Sequence, residues 1–248
     1  MTYHTVAFTA NIASTTPTGV DAVQDTILNT VNNRILPGRD YGLIYSYVLG
    51  SSVDQARLDS PQARSVILPH FSKIDQNSTP SSDPNFNDYS QNPFRIRGLE
   101  EFQPQVANSG GGEIDYVIMG LRESFEPIPS GEVWTMRGTS TTSTNADEWT
   151  TITTTWSDEL PAGKWALVGG VAQSSTAIAY RWVIEGQDLR PGGVAITSLA
   201  NRTSDVFYQG RLGVLGRFSA WNPPRIQMLE SAASTDIDVL MSFMRLPG

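Results

Sequence analysis

The residues best placed to do chemistry are two carboxylates in the stretch Gly112-Glu113-Ile114-Asp115. The apolar residues that follow predict a strand, and alternate residues of a strand project from the same face. Glu113 and Asp115 are therefore predicted to lie side by side. Two carboxylates about 5–5.5 Å apart can serve as nucleophile and acid in the retaining hydrolysis of a glycosidic bond.

This stretch resembles the core motif of the laminarinase and lichenase type of glycoside hydrolase, which is a jelly roll. The resemblance implies a further glutamate two or three positions after the aspartate, where this chain has Val117 and Ile118. The acid/base is therefore missing, and we interpret the two carboxylates as the charged start of a strand.

An Ile-Asp pair begins the last predicted strand of each half, as Ile114-Asp115 and Ile237-Asp238. Repetition at equivalent places favours a structural role for this aspartate. We expect it to cap a turn or to pair with an arginine such as Arg122 or Arg245.

Other groups that could bind a metal or activate a nucleophile are few. Three acidic pairs beside predicted turns could offer oxygens to a cation such as calcium, but none follows a calcium-loop pattern: Glu100-Glu101, Asp147-Glu148 and Asp158-Glu159. There is no cysteine and there are two histidines, His4 and His70, which leaves almost nothing for a histidine metal site or a Ser-His-Asp triad.

Glycine clusters offer no phosphate cradle, because none precedes a helix that carries Lys-Ser or Lys-Thr. The clusters are Gly110-Gly111-Gly112, Gly169-Gly170 and Gly192-Gly193, and we interpret them as turns or bulges. The sequence therefore predicts no catalytic, cofactor-binding or metal-binding residue, and a protein that is not an enzyme.

Tryptophan is confined to the second half of the chain, at Trp134, Trp149, Trp156, Trp165, Trp182 and Trp221. Exposed indoles can stack on sugars, which makes a carbohydrate-binding β-sandwich the alternative function, with Trp221 as its test residue. Most of these residues fall inside strand patterns, which favours core or interface positions.

The net charge of −8 argues against direct, sequence-specific nucleic-acid binding. No apolar run approaches the roughly 18 residues of a membrane span, and no signal-peptide pattern is present. With 39% hydrophobic and 17% charged residues and abundant Thr, Val and Ile, the chain is predicted to be a folded all-β protein.

Three blocks of sequence occur twice, in the same order, about half a chain apart. They are Leu36–Arg57 with Leu160–Arg181, Asn92–Glu100 with Asn222–Glu230, and Ile114–Arg122 with Ile237–Arg245. We interpret them as a diverged duplication, with domains at 1–124 and 125–248 and a linker at about 122–131.

The patterns predict strands at 5–10, 41–49, 53–59, 64–71, 94–102, 113–121, 132–138, 150–156, 164–172, 177–185, 194–199, 211–218, 225–230 and 236–245. Residues 20–34 are open between strand and helix, residues 14–19 end the first strand, and Ser72–Asn92 is predicted to be a long loop. About eight short strands per half favour two tandem eight-stranded antiparallel jelly-roll sandwiches.

Two tandem β modules of this size resemble the double jelly-roll major capsid proteins of icosahedral viruses, the tectivirus, corticovirus and adenovirus lineage. The duplicated blocks carry the resemblance. It implies a structural subunit that forms pseudo-hexagonal homotrimers, packs against neighbouring capsomers and resides in the virion after assembly in the host cytoplasm. It further implies contacts with minor capsid or vertex proteins and an internal membrane.

Overall fold

The computed structural model describes residues 3–23, 28–29, 34–35, 39–50, 53–61, 86–110, 114–187, 190–195 and 212–247. These residues form twenty β-strands and no helix, which confirms the predicted all-β class. Within them, no helix is long and apolar enough to cross a membrane. They divide into two compact units, one from the described residues of 6–123 and the other from those of 3–5 and 124–247.

The described residues of the first half form eleven strands. They are β1 (Tyr3–Asn11), β2 (Ser14–Gly19), β3 (Asp21–Ala22), β4 (Leu28–Asn29), β5 (Arg34–Ile35), β6 (Tyr41–Leu49), β7 (Val53–Asp59), β8 (Phe86–Asp88), β9 (Phe94–Ile96), β10 (Gln103–Asn108) and β11 (Ile114–Arg122). One sheet has the order β3-β1-β11-β6-β8, with β9 also paired to β6. A second has the order β2-β10-β7, and β4 pairs with β5.

The second half holds nine strands among its described residues. They are β12 (Val133–Ser140), β13 (Thr150–Ile152), β14 (Thr155–Trp156), β15 (Lys164–Gln173), β16 (Ala177–Val183), β17 (Gly192–Val194), β18 (Gly216–Ser219), β19 (Arg225–Glu230) and β20 (Ile237–Arg245). One sheet has the order β14-β12-β20-β15-β18, and the other has the order β13-β19-β16-β17.

Both halves follow the strand order of a jelly roll, in which the chain alternates between two antiparallel sheets and the first strand lies beside the last. In the second half the sheets are β12-β20-β15-β18 and β13-β19-β16-β17. In the first half the equivalent orders are β1-β11-β6-β9 and β2-β10-β7, and no counterpart of β17 occurs among the described residues. The predicted double jelly roll is confirmed by this topology.

Each half has its own apolar core. In the first half, Phe8 of β1 and Val106 of β10 are fully buried in one cluster, which joins the two sheets. In the second half, Trp165 of β15 packs edge to face on Phe243 of β20, with ring centroids 5.1 Å apart. Full burial of one such side chain stabilises the fold by about 1.5–3 kcal/mol.

Two of the three duplicated blocks coincide with equivalent strands. The first block covers β6 and β7 in one copy and β15 and β16 in the other, and the third covers β11 and β20. The matched arginines also have the same partner. Arg57 Nε donates to Gln105 Oε1 over 2.7 Å, and Arg181 Nε donates to Gln227 Oε1 over 2.7 Å.

The match of Asn92–Glu100 with Asn222–Glu230 is wrong. The first stretch contains β9, which pairs with β6, whereas the second contains β19, which belongs to the other sheet type. The true counterpart of β19 is β10, where Gln105 occupies the place of Gln227. Pro104 lies inside β10, and a proline argues against a strand when only the sequence is read.

Several other predicted boundaries change. The segment 14–19 is strand β2 rather than a terminating turn, and the strand predicted at 94–102 is limited to Phe94–Ile96. Within 20–34 the structure has the short strands β3, β4 and the start of β5, and no described residue there is helical; Phe86–Asp88 of the predicted loop is β8. The strand predicted at 64–71 and the remaining loop up to residue 85 lie outside the described residues.

Candidate functional site

Asp115 is buried inside the first jelly roll. Its Oδ1 accepts a hydrogen bond from Asn108 Nδ2 over 2.8 Å, which joins β11 to the end of β10. Gly50 provides the space, because a Cβ there would be 2.0 Å from Oδ1. Glu113 lies outside the described residues, so the proximity of the two carboxylates stays a prediction. The contacts of Asp115 are those of a residue that stabilises the fold.

The equivalent Asp238 pairs with an arginine, as expected, but with a different one. Arg137 Nη2 of β12 donates to Asp238 Oδ1 over 2.7 Å. Arg122 Nη2 donates to the carbonyl of Ser90 over 3.0 Å, and Arg245 Nη2 lies 3.4 Å from the carbonyl of Ala162. The sequence does not predict Arg137 as the partner, because the pairing of β12 with β20 brings the two residues together and this pairing cannot be read from the sequence.

A buried carboxylate that the sequence analysis did not single out is Glu230, at the end of β19. It is fully buried, and hydroxyl groups of Thr144 and Ser174 donate to its two oxygens. Thr176 Oγ1 lies 3.4 Å from Oε2. Glu230 and Asn108 end equivalent strands, so both halves place a buried polar side chain at this point.

Two of the acidic pairs stabilise turns. Glu100 Oε2 accepts from the backbone N–H of Arg97 over 3.0 Å, and Glu148 Oε2 accepts from Asn145 Nδ2 over 3.2 Å. Asp147 has a positive φ of 61°. Among the described residues, no three His, Cys, Asp or Glu side chains converge as metal ligands. Of the histidines, His4 is buried in β1, and His70 lies outside the described residues.

The third acidic pair lines a groove in the second jelly roll. The groove has a volume of about 450 Å³ and is bordered by nine side chains, which we call the indole groove: Met136, Trp156, Asp158, Glu159, Leu160, Ala162, Ala220, Trp221 and Pro223. Two indoles and two carboxylates thus face one concave, otherwise apolar surface. This combination makes the groove a candidate binding site.

Two connections build the indole groove. The segment after β14 leads into β15, and the turn after β18 is fixed beside it, because Ala220 N donates to the carbonyl of Gly163 over 3.0 Å. Trp156 pairs with Gly138 of β12, where a Cβ would be 2.8 Å from the ring. Glycine therefore lets this indole lie close over β12.

The other tryptophans divide much as the sequence predicts. Trp165 and Trp182 are fully buried. The guanidinium carbon of Arg181 lies 4.1 Å from the ring centroid of Trp149. Trp134 is 40% exposed, whereas Trp221 is 87% exposed. Trp221 is therefore the indole whose position demands a reason other than packing within this chain.

A second exposed apolar feature is the first part of β12. This strand pairs with β20 along its whole length, but with β14 only at Gly138 and Thr139. Residues 133–137 have no second strand partner within the described residues, and Val133 and Trp134 are 44% and 40% exposed there. Unpaired strand edges are sites at which further chains can add.

Comparisons with known proteins give little beyond these observations. No protein-family model and no curated protein matches the chain. Among solved structures, the major capsid protein P2 from bacteriophage PM2 aligns with 99% of this chain and 98% of its own. The identity is 10% and the TM-score is 0.27, so this match adds no weight to the strand order.

Proposed function

We propose that the chain is the major structural subunit of an icosahedral viral capsid. The observation that carries the proposal is the strand order, which repeats a complete jelly-roll sheet, first strand beside last, in each half of one chain. Fold alone does not determine function. The resemblance in the duplicated blocks points to the capsid lineage in which two jelly rolls occur in tandem.

Three copies around a threefold axis would present six similar jelly rolls, which gives a pseudo-hexagonal tile. Such assembly needs large complementary surfaces and no catalytic centre. The open edge of β12, with exposed Val133 and Trp134, supports contact with a neighbouring copy. Location in the virion, assembly in the host cytoplasm, and contact with minor capsid proteins or an internal membrane belong to the same proposal.

The test is the size of the particle formed by the full chain. Light scattering coupled to size exclusion, followed by negative-stain imaging, should show trimers of the 27.1 kDa chain and larger tiles at micromolar concentration. A protein that stays monomeric at every concentration would contradict the proposal.

An edge variant sharpens this test. Val133→Lys places a charge at the exposed side of β12 and should shift the distribution towards monomers, because charged edges oppose strand addition. Thr141→Lys is the matched control, since Thr141 is exposed outside the strands. Equal assembly of the two variants would exclude the β12 edge from the interface.

A further inference from the structure

We propose that the indole groove binds an organic ammonium ion, one whose positive nitrogen carries methyl or methylene groups. This inference is independent of the capsid proposal, because it concerns one groove of the second jelly roll. It begins from the coincidence of Trp156, Trp221, Asp158 and Glu159 on the same concave surface.

The two indoles supply the attractive faces. A cation within about 6 Å of an aromatic centroid is drawn to the ring quadrupole, and tryptophan is the strongest of the aromatic residues in this contact. Trp156 is held against Gly138, so one side of its position is fixed by β12. Trp221 is 87% exposed and needs little rearrangement to receive a ligand.

The charges of the groove select the sign of the ligand. Asp158 and Glu159 are carboxylates, and none of the nine lining residues is basic. Ser157 Oγ donates to Asp158 Oδ2 over 2.8 Å, which orients this carboxylate without neutralising it. The nine lining side chains therefore carry a net negative charge, although the Arg245 guanidinium lies 3.4 Å from the carbonyl of Ala162. They attract a cation through charge as well as through the indoles.

The apolar residues decide the kind of cation. The side chains of Met136, Leu160 and Pro223 contain no oxygen that could bind a metal ion, whereas calcium needs six to eight oxygen ligands. These side chains do suit methyl or methylene groups. A neutral saccharide would find acceptors but, the indole N–H aside, no side-chain donor, and it would gain nothing from the net charge. An alkylated ammonium group suits the indole faces, the negative charge and the apolar side chains of the groove.

The size of the groove agrees with a small ligand or a protruding side chain. A volume of about 450 Å³ falls within the range of about 300–1,000 Å³ that is usual for ligand sites. The shared chemistry is an alkylammonium group, which is found in lysine side chains and in choline headgroups. Probes of both kinds distinguish the two sources.

The experiment is a titration of the ¹⁵N-labelled full chain with tetramethylammonium chloride, read by the indole N–H resonances. Sodium chloride at the same ionic strength is the reference. We expect saturable shifts confined to Trp156 and Trp221. Phosphocholine and an N-acetylated lysine amide follow as separate arms, and the tighter of the two identifies the source. Absence of a saturable shift with all three ammonium-bearing ligands would overturn the proposal.

Variants separate the two contributions to binding. Trp221→Leu keeps an apolar side chain but removes the π face, and should weaken binding about tenfold, with a smaller loss for Trp221→Phe. Trp134→Leu is the control for a partly exposed tryptophan elsewhere and should leave the affinity unchanged. Trp221 is 87% exposed, so thermal unfolding of its two variants should remain close to that of the wild type.

The paired substitution Asp158→Asn with Glu159→Gln should lower affinity severalfold at low ionic strength and reduce its dependence on salt. Asp147→Asn with Glu148→Gln, an acidic pair outside the groove, is the matched control. Cellobiose serves as the neutral probe. If cellobiose binds at Trp221 and the carboxamide variant binds it equally well, the groove is a saccharide site and the ammonium proposal is wrong.

Discussion

At the scale of single residues, the burial of Glu230 is the most consequential feature. Its carboxylate has no water contact and accepts from the hydroxyls of Thr144 and Ser174. Thr144 Oγ1 in turn accepts from the backbone N–H of Ser234 over 3.0 Å. One side chain therefore ties together the end of β19, the turn before β16 and the loops at 144 and 234.

Replacing Glu230 should destabilise the second jelly roll in a graded manner. Glu230→Ala leaves two buried hydroxyls without their acceptor and opens a cavity, at a cost of about 3 kcal/mol. Glu230→Gln should cost about 1 kcal/mol, because a hydroxyl can rotate to accept from the amide. Urea unfolding measures both, and the exposed Glu185→Ala should change stability by less than about 0.5 kcal/mol. Equal losses for Ala and Gln would contradict this account, because Gln keeps the side-chain volume and one acceptor oxygen.

The pKa of the Asp40 carboxyl lies below its ordinary value. Arg95 Nε donates to its Oδ2 over 2.9 Å and Gly98 N donates to its Oδ1 over 3.2 Å, and these bonds hold the pKa of Asp40 below its ordinary value of 3.8. The pair contributes stability above the unfolded pKa, which is lost as the pH falls through the lowered folded pKa. A carboxyl ¹³C titration measures the shift. Arg95→Gln should return the pKa towards 3.8, and an unchanged midpoint would contradict this account.

At the scale of strands, β6 and β11 are joined by a contact between a glycine and an aromatic ring. Gly120 is the cross-strand neighbour of Tyr45, and a Cβ at Gly120 would be 2.1 Å from Tyr45 Cε1. Gly120→Ala should therefore destabilise the first jelly roll by about 1–3 kcal/mol through overpacking. The double variant with Tyr45→Leu should lose less than the sum of the single losses. Additive losses in urea unfolding would place the strain elsewhere.

The strands that the sequence predicts best have apolar residues at near-alternate positions and contain no proline. Residues 41–49, 53–59 and 225–230 have the predicted bounds, β11 is shifted by one residue from the predicted 113–121, and β20 begins one residue later than predicted. The strands that it misses, β2 and β10, contain Pro17 and Pro104 and many polar residues. Their pairing partners stabilise them, and a partner distant in sequence leaves no local signal.

The candidate site, too, depends on contacts between residues that are distant in the sequence. Exposure of Trp221 and its possible role in stacking were visible from its type and its setting among turn residues. The indole groove was not, because it needs Trp156 and Trp221 to meet from connections that are separated by more than sixty residues. Glu230 gave no signal either, since nothing in the sequence distinguishes a buried glutamate at a strand end from a solvated one.

At the scale of the whole molecule, duplication has preserved the scaffold and allowed its polar details to diverge. The Arg–Gln pairs of Arg57 and Arg181 remain alike in both halves, with the same bond length. The equivalent aspartates have separated, since Asp115 is buried against Asn108 whereas Asp238 pairs with Arg137 nearer the surface. Two similar jelly rolls with different surfaces can make different contacts, even though every copy of the chain contains both jelly rolls.

If the chain assembles as proposed, its net charge should make assembly sensitive to salt in a direction that identifies the interface. Each copy carries −8, so copies repel one another at low ionic strength, where the screening length is about 30 Å at 0.01 M. If apolar residues such as Val133 and Trp134 form the contact, raising the salt to about 0.15 M shortens this length to about 8 Å and should increase the trimer fraction. Sedimentation velocity across that range measures the change, with Val133→Lys as the assembly-deficient control. An oligomer that dissociates as salt rises would instead be held by ion pairs, and the β12 edge would have to be abandoned as the contact.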